Sequence, residues 1–389
     1  MKQDQDISKT LAEAVQSAAA ARTPLQITGG GTKAFYGLPS AGQQLGVGNH
    51  RGIVSYEPTE LVITARAGTP LADIEAALAE KNQMLAFEPP HFADRIDDCM
   101  NAGGRATQGA VAEARGAGQG GPSGAFGAGA TLGGTIACGF SGPRRPWTGS
   151  ARDFVLGTKI LNGNGEILRF GGQVMKNVAG FDVSRLMTGA LGTLGVLLEI
   201  SLKVLPRPEQ ELTLAFELPA DQAITTMNTW SGQPLPLSAA CHLDNTLYIR
   251  VSGARTALQA ARTRLGGEVI EKGEALWSDL REQRHPFFDG ATPLWRLSVP
   301  PATPPMHLSG KWLVDWGGAQ HWLKSDAPAG DIRCAAEVVG GHATLFRGGD
   351  RHGERFHPLP PALHALHRRL KQAFDPQRIL NPGRLYSDL

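Results

Sequence analysis

ATLGGTIACGFSGPRRPWTGSARDFVLGTKILNGNGEILRFGG (residues 130–172), continuing after two residues as MKNVAGFDVSRLMTGALGTLGVLLEISLKVL (175–205), is the stretch on which the fold turns. Glycines punctuate short β-rich runs at Gly133, Gly134, Gly139, Gly142, Gly149, Gly192 and Gly195. Glycine has no Cβ, so such spacing lets the backbone come close to a bulky ligand. An earlier loop, Ile27-Thr28-Gly29-Gly30-Gly31-Thr32-Lys33, has the same character. Together the two segments read as a cradle for a nucleotide cofactor.

The rest of the chain bounds what that cradle can belong to. A length of 389 residues suits two or three domains. Hydrophobic content of 41% and charged content of 19% describe a globular chain with a real core. A net charge of +2 gives no footprint for nucleic acid or for an acidic membrane surface. Cys99, Cys138, Cys241 and Cys334 form no C-x-x-C pair, which argues against an iron–sulfur or structural zinc site and for free thiols in a reducing compartment. Met1–Asp6 is mixed in charge and no apolar h-region follows, so the N-terminus does not read as a signal peptide. No apolar run spans a bilayer. The expected location is cytoplasmic, at most peripheral at the inner membrane through partners.

Along the chain, Ile7, Leu11, Ala14, Val15 and Ala18 recur at helical spacing. A strand over Pro24–Thr28 leads into the triple-glycine loop. Strands are expected over Gly52–Tyr56 and Leu61–Arg66. A helix then runs to about Asn82, with Thr69 as N-cap and Pro70 in its first position. Ala93–Gly129, rich in Gly and Ala, reads as an insertion, either a lid or a tolerated surface loop. Asn162-Gly163-Asn164-Gly165 between two apolar runs signals a β-hairpin. A last apolar strand ends at Leu205, and Pro206-Arg207-Pro208 marks a domain boundary. A smaller α+β domain follows, with strands at 212–218 and 246–251, a helix at 256–265 and a closing helix at 358–374.

Gly29-Gly30-Gly31-Thr32-Lys33-Ala34 formally fits G-x-G-x-x-A, yet the context excludes a Rossmann site. Phe35-Tyr36-Gly37-Leu38-Pro39 cannot open a helix, and no Asp or Glu occurs from Ala34 to Tyr56. A nest of consecutive backbone N–H groups suited to a pyrophosphate remains.

The order of segments resembles the vanillyl-alcohol oxidase, or PCMH-type, family of FAD-binding proteins, and within it the E subunits of glycolate oxidases. The resemblance rests on ITGGGTK (27–33), FEPPHF (87–92), ATLGG (130–134), SGPRRPWTGSARDFVLGTKIL (141–161), FGGQVMKNVAGFDVSRLM (170–187), GTLGV (192–196) and ILNPGR (379–384). It implies an α+β fold, with a PCMH-type FAD-binding domain of two α/β subdomains over residues 1–206. A smaller α+β cap domain then spans 207–389, its C-terminal segment returning to the flavin domain. The cofactor implied is FAD. The resemblance assigns Gly29, Gly30, Gly31 and Thr32 to the pyrophosphate, and Pro89, Pro90, Thr131, Gly133 and Gly134 to the flavin and ribityl chain. It assigns Gly149, Ser150, Thr193 and Val196 to the rest of the cofactor. It also implies a multi-subunit enzyme that converts glycolate to glyoxylate, with a catalytic D-type flavoprotein and an iron–sulfur F-type subunit as partners. A self-sufficient flavoenzyme and a scaffold without tight FAD binding are the alternatives. The insertion 93–129 departs from the family pattern between the P-P-H and A-T-L-G-G segments.

Catalytic residues do not announce themselves. Oxidising a 2-hydroxy acid needs a base for the hydroxyl proton and a cation for the carboxylate. The H-x-G-D-G-N-L-H run of the D subunits is poorly matched by His352-Gly353-Glu354-Arg355-Phe356-His357. His91 is the best lone candidate for a place near the flavin, against a stronger expectation of packing or loop capping. His364 and His367 read as exposed helix residues rather than metal ligands. Lys176, Asp182 and Arg185 read equally well as a structural ion-pair group. Arg144 and Arg145 suit either the cofactor phosphates or a partner subunit.

Overall fold

The computed structural model describes residues 4–92, 129–172, 182–350 and 352–389. Residues 93–128 of the insertion, Cys99 and Lys176 fall outside the described residues.

Helix α1 (Ser8–Ala21) buries Leu11, Val15 and Ala18, the stripe expected from their spacing. Strand β1 (Leu25–Thr28) pairs in parallel with β2 (Gln43–Gly46), and the glycine loop lies in the crossover between them. Strands β3 (Ile53–Glu57) and β4 (Val62–Arg66) lead to α2 (Leu71–Ala79) and the short β5 (Gln83–Met84). Helix α3 (Leu132–Cys138) precedes the hairpin of β6 (Val155–Leu161) and β7 (Ile167–Gly171). Strand β8 (Val196–Lys203) follows, then β9 (Leu205–Pro206), which pairs with β5. The order β3-β4-β8-β6-β7 makes a five-stranded antiparallel sheet. β8 is its central strand and is buried on both faces. Val196 and Leu198 join the α1 cluster, while Leu197, Ile200 and Leu202 join Leu71, Ile74 and Leu78 of α2 and Leu132 and Ile136 of α3.

The hairpin forms where the Asn-Gly signal places it. Asn162 Oδ1 accepts from the N–H groups of Asn164 and Glu166, and Gly165 takes φ +77°, which the reversal requires. The N-terminus of α2 differs from expectation. Thr69 is no N-cap, because its hydroxyl both accepts from Gly52 N–H and donates to Gly52 C=O. Pro70 takes the cap position without a side-chain bond, and the helix stops at Ala79. A long-range demand on the hydroxyl overrides the local capping signal.

Beyond Pro206 the chain builds a second sheet from β10 (Gln210–Glu217), β11 (Leu237–Leu243), β12 (Thr246–Gly253), β13 (Glu268–Val269), β14 (Leu294–Ser298), β15 (Lys311–Asp315), β16 (Gln320–Lys324) and β17 (His342–Arg347). These eight strands are antiparallel in the order β13-β10-β12-β11-β15-β16-β14-β17. Helices α4 (Ala220–Ser231), α5 (Arg255–Leu265), α6 (Gly273–Arg281) and α7 (Ala329–Val338) pack around it. Where the two halves meet, Phe35, Tyr36, Phe92 and Phe140 of the first pack with Trp277, Phe287, Trp322 and Phe346 of the second.

The last helix, α8 (Pro361–Phe374), turns back to the first half. Leu370 and Phe374 pack on its core, and Ile379 and Leu380 enter the α1 cluster. Leu380 forms an isolated parallel bridge with Leu25, directly before the glycine loop. Among the described residues, no helix is long and apolar enough to cross a membrane.

Candidate functional site

The glycine loop opens onto a cavity of about 120 Å³ lined by residues 26–34, Ser40, Thr131, Gly134, Ala137, Cys138, Leu191, Asn381 and Arg384. Segments far apart in sequence meet here. A Cβ on Gly29 would stand 2.6 Å from Thr131 Oγ1, so the glycine loop touches the start of α3. Thr131 is the N-cap of that helix, and its Oγ1 accepts from Gly134 N–H at 3.3 Å. Asn381 Oδ1 accepts from Ile27 N–H at 2.7 Å, and its Nδ2 donates to Leu191 C=O at 2.7 Å. A Cβ on Gly192 would lie 2.8 Å from that Nδ2. One asparagine thus ties the ILNPGR turn to the glycine loop and to the segment before GTLGV.

The loop is rich in unspent donors. Gly31 takes φ +78°, and tight turns follow from Gly31 to Ala34 and from Lys33 to Tyr36. Among the described residues, no group accepts from the N–H of Gly29, Gly30, Gly31, Thr32 or Lys33. Lys33 is itself buried. Its ammonium has long contacts, to Thr32 Oγ1 at 3.3 Å and His91 C=O at 3.4 Å, lies 5.8 Å from the centre of the Phe92 ring, and has no carboxylate within 4.0 Å among the described residues. Burial lowers its pKa to about 8, with the Cys138 thiol and Glu282 pulling the other way. A run of free amides beside a poorly compensated buried cation is an anion site by construction.

The other sequence-assigned residues occupy different places. Gly133 packs α3 against β4, since a Cβ there would come 2.7 Å from Ala67 Cβ. Pro89 and Pro90 are buried, and Pro90 lines a separate small cavity between the two halves. Gly149 takes φ +104° at the end of a single turn, and Ser150 forms a capping box with Asp153. Thr193 donates to Ala190 C=O, and Val196 lies in the core of β8. Neither Thr193 nor Val196 lines the glycine-loop cavity. Lys33, Asn381 and Arg384 line it without having been singled out. The last two stood in the ILNPGR segment, and only their tertiary contacts reveal them.

Arg144 turns to acids of its own chain. It is buried in an ion-pair network with Glu88 and Glu211, and Arg250 pairs with the same two acids. Arg145 stacks on Trp316, 4.3 Å from the ring centre. His91 Nε2 lies 3.0 Å from Glu75, while its backbone N–H donates to Glu282, so packing holds the FEPPHF loop. His364 reaches Asp388, and Asp182 pairs with Arg185. No group of three or more metal-ligating residues occurs among the described residues.

Beside the Arg144 network, Asp315 is fully enclosed. Burial pushes its carboxyl up to about 7, helped by Glu88 and opposed by the Trp316 N–H, Arg250 and Gln320. The folded chain keeps this proton to about pH 7, whereas the unfolded chain releases it near 3.8. Folding therefore takes up a proton in that window, and the contribution to stability falls as pH rises through it. Asp315→Asn keeps an oxygen for Trp316 N–H but cannot ionise. It should match the wild type near pH 4 and exceed it near pH 8, read as urea midpoints at the two pH values.

Comparison with known proteins fits this geometry. Residues 8–113 match the family described as FAD binding domain, and residues 358–385 match FAD linked oxidases, C-terminal domain. Glycolate oxidase subunit GlcE of Escherichia coli (strain K12) is 49% identical over 384 residues, covering 99% of each chain. Glycolate oxidase subunit GlcD of Bacillus subtilis (strain 168) is 43% identical over 84 residues, 22% of this chain and 18% of that one. A solved structure of alkyldihydroxyacetonephosphate synthase superposes with a TM-score of 0.60 at 14% identity, covering 97% of this chain and 76% of that one, a likeness of fold alone. Fold and matches define an FAD-binding oxidoreductase of the FAD-linked oxidase class. Within that class, the chain belongs to the family of glycolate oxidase E subunits.

Proposed function

We propose that this chain is the FAD-carrying E-type subunit of a multi-subunit 2-hydroxy-acid dehydrogenase that converts glycolate to glyoxylate. A D-type flavoprotein oxidises the CH–OH group, and an iron–sulfur F-type subunit carries electrons onward. The complex is cytoplasmic, peripheral at the inner membrane. The name of the relative that matches over nearly its whole length supports the substrate and the assembly.

One structural observation carries the cofactor assignment: the unspent amides of residues 29–33 surround a cavity that also holds a buried, weakly paired ammonium. These residues fit a diphosphate. In this reading residues 1–206 form the flavin domain and 207–389 the cap. Gly29, Gly30, Gly31 and Thr32 offer amides to the diphosphate, Lys33 supplies charge, and Thr131 and Gly134 close the opposite wall. Gly133 sets the approach of α3, and Pro89 and Pro90 belong to the domain junction. Gly149, Ser150, Thr193 and Val196 are assigned to the cofactor by family resemblance. Bound FAD supplies a two-electron acceptor that can pass electrons on singly. The test is co-purification of the three subunits, with glycolate-dependent dye reduction expected only from the full set.

Lys33 gives a sharper check. Removing one member of a buried charge pair costs about 2–5 kcal/mol, so Lys33→Met should weaken FAD binding by about 30-fold or more. A bound diphosphate raises the Lys33 pKa above 8, so binding takes up a proton in alkaline solution. Wild-type affinity should therefore fall as pH rises beyond 8, while that of Lys33→Met stays level. Fluorescence titration of FAD at pH 7 and 9.5 reads both effects.

A further inference from the structure

Helix α8 turns one face to its own core and leaves another open among the described residues. Leu370 and Phe374 pack on the first half and Lys371 is buried, which fixes the inner face. Ala362, Leu363, Ala365, Leu366 and Ala373 are exposed, with Leu363 and Leu366 at 47% and 46%. A single exposed leucine is ordinary. Five large apolar side chains stay exposed among the described residues, and Val54, Ile167 and Val338 lie on three separate elements. Leu363 and Leu366, three residues apart, are neighbours on one helix face. The helix carries His364, His367, Arg368, Arg369 and Lys371, and no Asp or Glu. His364 and Lys371 pair with Asp388 and Asp375, while the exposed Arg368 and Arg369 have no carboxylate within 4.0 Å among the described residues.

A line of ring contacts reaches this helix from the glycine loop. Tyr36, whose N–H donates to Lys33 C=O, lies 5.4 Å from Phe356 between ring centres. Phe356 lies 6.0 Å from Tyr386, and Tyr386 lies 6.4 Å from His367. Tyr386 Oη donates to His357 C=O at 2.9 Å, which anchors that ring. His367 is four residues from Leu363 and so stands beside it on the helix surface. Electron transfer falls off steeply with distance, so a run of closely packed π systems marks a favoured direction from the glycine loop to α8.

We propose that the open face of α8 is the docking surface for the iron–sulfur subunit, through a partner surface that is apolar at its centre and acidic at its rim. The surface rests on the helix; the choice of an electron acceptor rests on the ring contacts and on the function proposed above. A cluster held by four cysteine thiolates carries net negative charge, which suits Arg368 and Arg369. A second copy of this chain would set arginine against arginine, with no acid on either helix. A lipid surface takes an amphipathic helix by burying its apolar face about 5–10 Å deep. Helix α8 has spent Leu370 and Phe374 on its own core and half covers the two remaining leucines.

The test measures binding of the purified iron–sulfur subunit to the FAD-loaded full chain by biolayer interferometry, at low and high sodium chloride. The expected result is saturable binding that weakens as salt rises. Affinity should fall about 30-fold in Leu363→Ser/Leu366→Ser and about 10-fold in Arg368→Glu/Arg369→Glu. Both variants should keep the wild-type flavin content, thermal melt and binding of the D-type subunit. The arginine variant leaves the leucines in place, so the test survives if the leucine variant does not fold. Iron–sulfur binding unchanged in both variants, or loss of D-type binding in its place, would overturn the proposal. So would a wild-type dimer, or wild-type sedimentation with phosphatidylglycerol vesicles, that the leucine variant abolishes. If the wild-type subunits do not assemble at all, the function proposed above fails as well. If they assemble and both variants bind like the wild type, this surface alone fails.

Discussion

Asp375→Ala should cost about 3–5 kcal/mol of stability, the largest effect of any single substitution considered. Asp375 and Lys371 are enclosed on α8 and just beyond it, with side-chain exposures of 0% and 2%. The Lys371 ammonium spends its three donors on Asp375 Oδ2 at 2.8 Å, Thr193 C=O at 2.8 Å and Leu380 C=O at 2.7 Å. Asp375 also accepts from Ile379 N–H at 3.1 Å and Leu380 N–H at 2.7 Å. Removing the carboxylate strands a buried ammonium and leaves two backbone donors unpaired. The double substitution Lys371→Met/Asp375→Leu removes both charges and should cost much less than the two single losses combined. Urea unfolding of the four proteins measures this coupling. Because Leu380 and Asn381 follow directly, Asp375→Ala should also loosen the glycine loop and weaken FAD binding.

Gly29→Val should reduce FAD affinity by about 100-fold or more, equivalent to about 3 kcal/mol, with little loss of global stability. The added Cβ meets Thr131 Oγ1 at 2.6 Å, closer than side-chain carbons come to such atoms. Thr131 cannot yield freely, because it caps α3 and is itself buried. The glycine loop must therefore move away from α3, and the amides of residues 29–33 lose their common aim. Gly29→Ala introduces the same first clash with less bulk and should fall between. FAD titration of the three proteins, beside their thermal melts, separates a binding defect from a folding defect.

The contrast between these two sites shows what a sequence displays and what it conceals. The glycine loop, the Asn-Gly hairpin and the amphipathic first helix carry local signals that hold within a few residues, and each forms where it is expected. The absence of a helix after Lys33 likewise follows from Gly37 and Pro39. The Lys371 anchor is different, because its Thr193 contact spans 178 residues. Asn381 reaches Ile27 across 354. The ion pairs of Arg144 were hidden in the same way, because Glu88 and Glu211 lie 56 and 67 residues away. Thr69 misleads in the same way, its hydroxyl serving Gly52 rather than its own helix. Lys33 stood in plain view within the ITGGGTK segment, but only its burial shows it to be a cation in need of an anion.

The most direct test of the proposed role is the anaerobic visible spectrum of the chain purified alone, recorded before and after glycolate and again after adding the D-type and iron–sulfur subunits. The expected result is one FAD per chain, a spectrum that stays oxidised with glycolate alone, and bleaching once the partners are present. A chain that takes up no FAD even on reconstitution, or one that glycolate bleaches without any partner, would contradict it.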